Sequence, residues 1–190
     1  VKQLEVVKRK LKQGAVYRRA DLEQWSASVD RHLQQLMQEG VLEKLSGGMY
    51  YVPKRGAFGE APAKDTDLVA AFLKDHRFLV TTPNEYNALG LGTTQLYNIK
   101  RVYNYRRHGN FKLGNRMFQF VRRPYVPERV TKEFLLVDLV NDLNSLEEDQ
   151  TAVLENIRRI VCSMNKARLK DIADKFGKIA TRKFFNVLLS

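Results

Sequence analysis

The sequence predicts an α+β chain, with an N-terminal winged helix-turn-helix followed by an α+β domain whose C-terminal part is helical. Three observations carry that expectation. Residues 1–64 run helix, short strand, helix, helix and two-stranded hairpin, judged by apolar spacing and turn residues. Residues 65–129 mix helical and alternating patterns. Residues 130–190 keep helical spacing to the end.

Taken in order, Leu4, Val7 and Leu11 open at helical spacing and Gly14 stops that helix. Ala15-Val16-Tyr17 is a short β-like run, and Ala20 to Trp25 makes a brief helix with Leu22 and Trp25 on one face. Ser26 is placed to cap a longer helix, whose apolar stripe is Val29, Leu33, Leu36 and Met37 and whose C′ residue is Gly40. Val41–Leu45 and Met49–Val52 follow as strands around Ser46-Gly47-Gly48. This gives a DNA-binding domain over 1–55, a Pro/Gly/Ala-rich linker over 56–64 and a second domain over 65–190.

The longer helix buries its stripe and turns Ser28, Arg31, Gln34, Gln35 and Gln38 outward. Arginine pairs bidentately with guanine and glutamine with adenine, while serine near a helix start reaches phosphate or base edges. Lys44, Lys54 and Arg55 are placed for phosphates beside the Gly47-Gly48 turn. The expected duplex-facing set is Arg18, Arg19, Ser26, Ser28, Arg31, Gln34, Gln35, Lys44, Lys54 and Arg55.

In the middle segment, Leu68, Val69, Phe72 and Leu73 read as a helix and Phe78 to Val80 as a strand. Pro83-Asn84 starts another short helix. Gln95–Tyr105 and Phe111–Val121 alternate as strands, with a further tight turn at Leu113-Gly114-Asn115-Arg116. From Lys100 to Arg123 there are eight Lys/Arg and no acidic residue, interleaved with Tyr103, Tyr105, Phe111, Phe118 and Phe120. Such interleaving suits a single-stranded nucleic-acid platform, and it equally suits a strand whose aromatics fill a core. Lys100, Arg101, Arg106, Arg107, Arg122 and Arg123 are the expected members of a second functional surface.

Lys+Arg number 33 against 21 Asp+Glu, a net charge of +12, which points to a polyanionic partner. The excess is +5 over residues 1–64, +6 over 65–129 and +1 over 130–190, so the helical end is nearly neutral. The longest apolar run, Leu68 to Leu73, is far too short to span a membrane. Lys8, Arg9, Lys10 and Lys12 break any signal-like stretch, and one cysteine excludes an internal disulfide; a cytoplasmic protein is expected. Cys162, beside Ile160 and Val161, reads as a buried thiol. His32, His76 and His108 lie far apart, so no metal site is expected. No phosphate loop, dinucleotide loop or nucleophile constellation occurs; neither cofactor nor catalytic residue is expected.

The run Thr82-Pro83-Asn84-Glu85-Tyr86-Asn87-Ala88-Leu89-Gly90-Leu91-Gly92-Thr93-Thr94-Gln95 resembles a segment of the AbiEi-type antitoxins. Gly14-Ala15-Val16-Tyr17, the stop at Leu36–Gly40, Val41-Leu42 and Gly48-Met49-Tyr50-Tyr51-Val52-Pro53 resemble the same family's first domain. The resemblance covers about residues 1–125. It implies a repressor that binds double-stranded DNA at its own operon, coupled to a C-terminal antitoxin domain of a type IV toxin–antitoxin system. It also implies a nucleotidyltransferase toxin as partner. With no heptad or long apolar stripe in the sequence, a monomer is expected in solution, two copies meeting on an inverted repeat. The rival expectation is a protein that grips RNA or an acidic protein through residues 100–123.

Overall fold

The computed structural model describes residues 2–190 as a mixed α+β chain. It divides into two units. One holds the residues up to His76 together with Asn110–Phe118; the other holds Arg77–Gly109 and Gln119–Ser190. Residues 56–64, read as a linker, carry part of a hairpin instead. Gly56 and Gly59 flank a turn that lets β4 (Lys54–Gly56) pair antiparallel with β5 (Gly59–Ala61).

In the first unit, α1 (Lys2–Lys10) buries Leu4 and Val7. Gly14, at φ +81°, turns the chain and donates its N–H to Val52 O at 2.8 Å, which aligns β1 (Val16–Arg18) with the sheet. The expected helix at Ala20–Trp25 is α2 (Arg19–Glu23), shifted toward the N-terminus. α3 (Val29–Gln38) buries Val29, His32, Leu33 and Leu36 against a cluster that includes Leu4, Val7, Leu22, Leu42, Tyr50 and Val52. Each fully buried aliphatic side chain of this kind contributes roughly 1.5–3 kcal/mol of transfer free energy.

The two strands that follow α3 are shorter than their apolar runs: β2 is Glu43–Lys44 and β3 is Met49–Tyr51. β3 lies between β1 and β2, with Tyr50 opposite Tyr17 on one edge and Lys44 on the other. α4 (Asp65–Leu73) buries Leu68, Val69 and Leu73. Within the same unit the Arg116 guanidinium reaches the Asp65 carboxylate and the Ala63 carbonyl, and Phe111 meets Phe72 at 5.0 Å between ring centroids.

In the second unit, β6 (Phe78–Thr81) pairs antiparallel with β7 (Lys100–Asn104), Thr81 opposite Arg101. Between them, Thr82 caps a 3-10 helix at Pro83–Leu89 and Gly90 ends it. The expected strand over 95–105 begins only at Lys100. Residues 95–99 are drawn off the sheet because Asn84 makes a two-way hydrogen bond with the Tyr97 backbone, at 2.9 and 2.6 Å. β8 (Gly109–Leu113), whose residues after Gly109 belong to the first unit, and β9 (Arg116–Arg122) follow, separated by the tight turn expected at 113–116. β9 passes from one unit into the other after Phe118.

α5 (Lys132–Asp142), capped by Thr131 accepting from Phe134 N, buries every residue from Phe134 through Leu139, the carboxylate of Asp138 among them. α6 (Gln150–Val161), α7 (Lys166–Phe176) and α8 (Ile179–Leu189) complete the unit, α7 and α8 packing on α5. Tyr103, Phe134 and Phe176 form an edge-to-face triad with centroids 4.9–5.9 Å apart. Cys162 is exposed, not buried: α6 ends at Val161, so the thiol falls beyond the apolar stripe.

Candidate nucleic-acid interface

α3 presents two distinct faces. Val29, Leu33 and Leu36 are buried, whereas Ser28, Arg31, Gln34, Gln35 and Gln38 at its start and along its other side are exposed. Gln35 Nε2 donates to Glu39 Oε1 at 3.1 Å, one turn further along that open face. In the turn that follows β2, Gly47 is exposed and a Cβ on Gly47 or Gly48 would meet nothing within 4 Å, while Ser46 Oγ donates to Lys112 O at 3.2 Å.

Ser26 does not belong to this face. Its side chain is buried; Oγ shares a 2.6 Å hydrogen bond with His32 Nδ1 and accepts from Ser28 N at 3.1 Å. Ser28, rather than Ser26, precedes the first turn of α3, and its own side chain caps nothing. Ser26 therefore holds the chain entering α3 and is withdrawn from the duplex-facing set.

Arg18 and Arg19 are placed beside carboxylates. Arg18 lies 3.4 Å from Asp21, and Arg19 grips both oxygens of Asp30 at 2.7 Å while also reaching Glu23. The hydrogen bond from Arg19 pulls the Asp30 carboxyl below its ordinary range. This clamp ties the start of α2 to the first turn of α3. Both arginines are half-buried, and their ion pairs stay open to water. Lys44 is exposed on β2. Lys54 and Arg55 are exposed on β4, with Arg55 3.6 Å from Glu60 across the hairpin.

In the second unit the expected basic surface separates. Arg106 and Arg107 are exposed, in a turn built on Asn104, whose side-chain oxygen accepts both of their backbone N–H groups at 2.8 and 2.6 Å. Arg123 N donates to Asn104 O at 2.9 Å, which brings exposed Arg122 beside that turn. Arg123 itself is half-buried with its guanidinium 5.4 Å over the Phe176 ring. Lys100 is half-buried at the start of β7.

Arg101 is removed from the surface entirely. It is buried, pairs with Asp142, bonds to Tyr103 at 3.1 Å and Gln119 at 2.9 Å, and lies 3.8 Å from Asp138. Burial drives the Asp138 pKa up to about 6, and Asp142 adds to that rise. Tyr103, Phe118 and Phe120 are core residues as well, so they offer no stacking platform. Among the described residues there is no cluster of His, Cys, Asp or Glu able to hold a metal, and no helix is long and apolar enough to cross a membrane.

Sequence reasoning missed the Arg19–Asp30 clamp and the β4–β5 hairpin. The paired glycines at 56 and 59 and the opposed charges of Arg55 and Glu60 were the available signals for the hairpin.

No family model and no curated protein matches the chain. Among solved structures it is similar to the crystal structure of the RV2827C protein from Mycobacterium tuberculosis, at 15% identity and a TM-score of 0.59. That match covers 98% of this chain and 74% of the other. The likeness is one of fold.

Proposed function

We propose that this chain is a sequence-specific DNA-binding repressor whose N-terminal unit works as a winged helix-turn-helix. The observation that carries the reading is the division of α3: an apolar face locked into the core and an opposite face offering Arg31, Gln34, Gln35 and Gln38. Those side chains are suited to base edges in a major groove. The order β1-β3-β2 around an open glycine turn gives the reading its wing, and the net charge of +12 its affinity for phosphate. Ser28, Lys44, Lys54 and Arg55 supply contacts around α3. The test is a nuclease footprint of the full chain on the duplex upstream of its own coding sequence. A protected inverted repeat supports the reading; no protection at micromolar protein contradicts it.

The AbiEi resemblance extends the proposal to an autoregulated toxin–antitoxin operon, with the second unit acting as antitoxin to a nucleotidyltransferase. Of the six basic residues expected on that surface, Arg106, Arg107 and Arg122 are exposed. Co-expression with the adjacent reading frame tests this: the full chain rescues growth, and Arg106→Glu with Arg107→Glu weakens the rescue. Growth that is arrested equally with and without the chain contradicts it.

A further inference from the structure

The β4–β5 hairpin carries a side chain that the fold itself does not use. Phe58, in the turn between Gly56 and Gly59, is 107% exposed, while every other phenylalanine in the chain is buried or half-buried. The arm beneath it is well defined. Three residue pairs join its strands, and the Tyr51 hydroxyl donates to Ala61 O at its base. The ring is therefore held out in water on a short, anchored stalk.

The hairpin strands carry a net charge of +1. Lys54 and Arg55 are both exposed on β4, with Glu60 the sole acid on the two strands; Arg55 is 86% exposed even though it lies 3.6 Å from Glu60. Arg55 also lines one surface cleft with Lys8, Gly40 and Val41, the last two in the segment that follows α3. A lone ring offers too little apolar area for a stable protein interface. An exposed phenylalanine at the tip of a hairpin that carries two cations suits a duplex, where apolar wedges enter between base steps and basic residues hold nearby phosphates.

We infer that the β4–β5 hairpin is a second DNA-contacting arm, with Phe58 wedging against a base step while Lys54 and Arg55 hold the flanking phosphates. This rests on the DNA-binding reading above and adds a local distortion that α3 alone does not supply. Pyrimidine–purine steps unstack most easily, so the arm also favours such a step at the edge of the site.

The experiment is permanganate reactivity of thymines in the upstream duplex, read beside a nuclease footprint, for the full chain and for Phe58→Ala and Phe58→Trp. The wild-type chain should make thymines at one edge of the footprint hyper-reactive. Phe58→Ala should abolish that signal and bind roughly ten-fold more weakly, as expected for one lost base-stacking contact. Phe58→Trp should keep it. A Phe58→Ala chain with wild-type affinity and an unchanged permanganate pattern overturns the wedge and leaves the footprint, and so the DNA-binding reading, standing. A variant that binds DNA normally but loses a protein partner also overturns it. No footprint from the wild-type chain overturns both.

Discussion

Tyr86 donates its hydroxyl to Asp138 Oδ2 at 2.6 Å, tying the 3-10 helix at Pro83–Leu89 to the middle of α5. Tyr103 donates to the other oxygen of the same carboxylate, and Arg101 and Asp142 close the group. The interior of the second unit is thus organised around a buried charge whose lone pairs are satisfied from both neighbouring elements. Removing one partner of such a network exposes the full cost of the others. Arg101→Met should lower unfolding free energy by about 3–5 kcal/mol, and Tyr86→Phe by about 1–3 kcal/mol. Denaturant titration of the full chain measures both, and a loss below about 1 kcal/mol for Arg101→Met would remove the network from the list of stabilising features.

Asp138 also sets a pH signature. Its folded pKa, raised by burial to about 6, exceeds the ordinary value of 3.8. The folded chain therefore takes up a proton near pH 6 that the unfolded chain takes up only near pH 4. Ionised Asp138 costs stability above pH 6, and that cost is relieved as pH falls from 6 toward 4. Asp138→Asn removes the titration. Relative to that variant, the wild-type chain should gain on the order of 1 kcal/mol between pH 7 and pH 5 in matched melts. A constant difference across that range would show that Asp138 does not titrate there.

Gly177 is fixed by space rather than by its dihedral angle. A Cβ at this position would sit 2.4 Å from Ala173 O and 3.1 Å from Arg182 Cγ. Gly177→Ala should destabilise the chain by about 1–3 kcal/mol, because the α7–α8 junction must open to admit a methyl group. Thermal unfolding reads the effect, and an unchanged midpoint would mean that the junction yields without cost.

Ser26 provides a test of location. Ser26→Ala should cost about 1–3 kcal/mol of stability, since the buried Nδ1 of His32 loses its 2.6 Å partner. Sequence preference on DNA should stay the same. A changed base preference with unchanged stability would return Ser26 to the duplex-facing set.

How far the sequence could be read depended on the range of the interactions involved. The α3 stripe and the Gly40 stop are local, and spacing or residue type alone exposes them. The burial of Arg101 was hidden because its carboxylate partners, Asp138 and Asp142, lie in α5; a run of cations reads as solvent-facing until the acids that answer it are placed. Residues 95–99 alternate like a strand, yet Asn84, 13 residues earlier, claims the Tyr97 backbone. The β4–β5 hairpin was lost for a different reason. Its strands are three residues each and fully exposed, so no apolar alternation marks them. Of the expected duplex-facing set, the positions on α3 keep their exposure, whereas Ser26, Arg18 and Arg19 are claimed by neighbours in the fold.

The central claim is that α3 reads base edges, and one competition measurement tests it most directly. The full chain and its Arg31→Ala variant are titrated at physiological salt against the duplex upstream of the coding sequence and against a shuffled duplex of equal length. The wild-type chain should prefer the upstream duplex by about 10³ or more. Arg31→Ala should lose about 1–3 kcal/mol on that duplex alone, leaving its non-specific affinity nearly unchanged. Equal affinity of the wild-type chain for the two duplexes, or an Arg31→Ala chain that retains both affinity and preference, would contradict the claim.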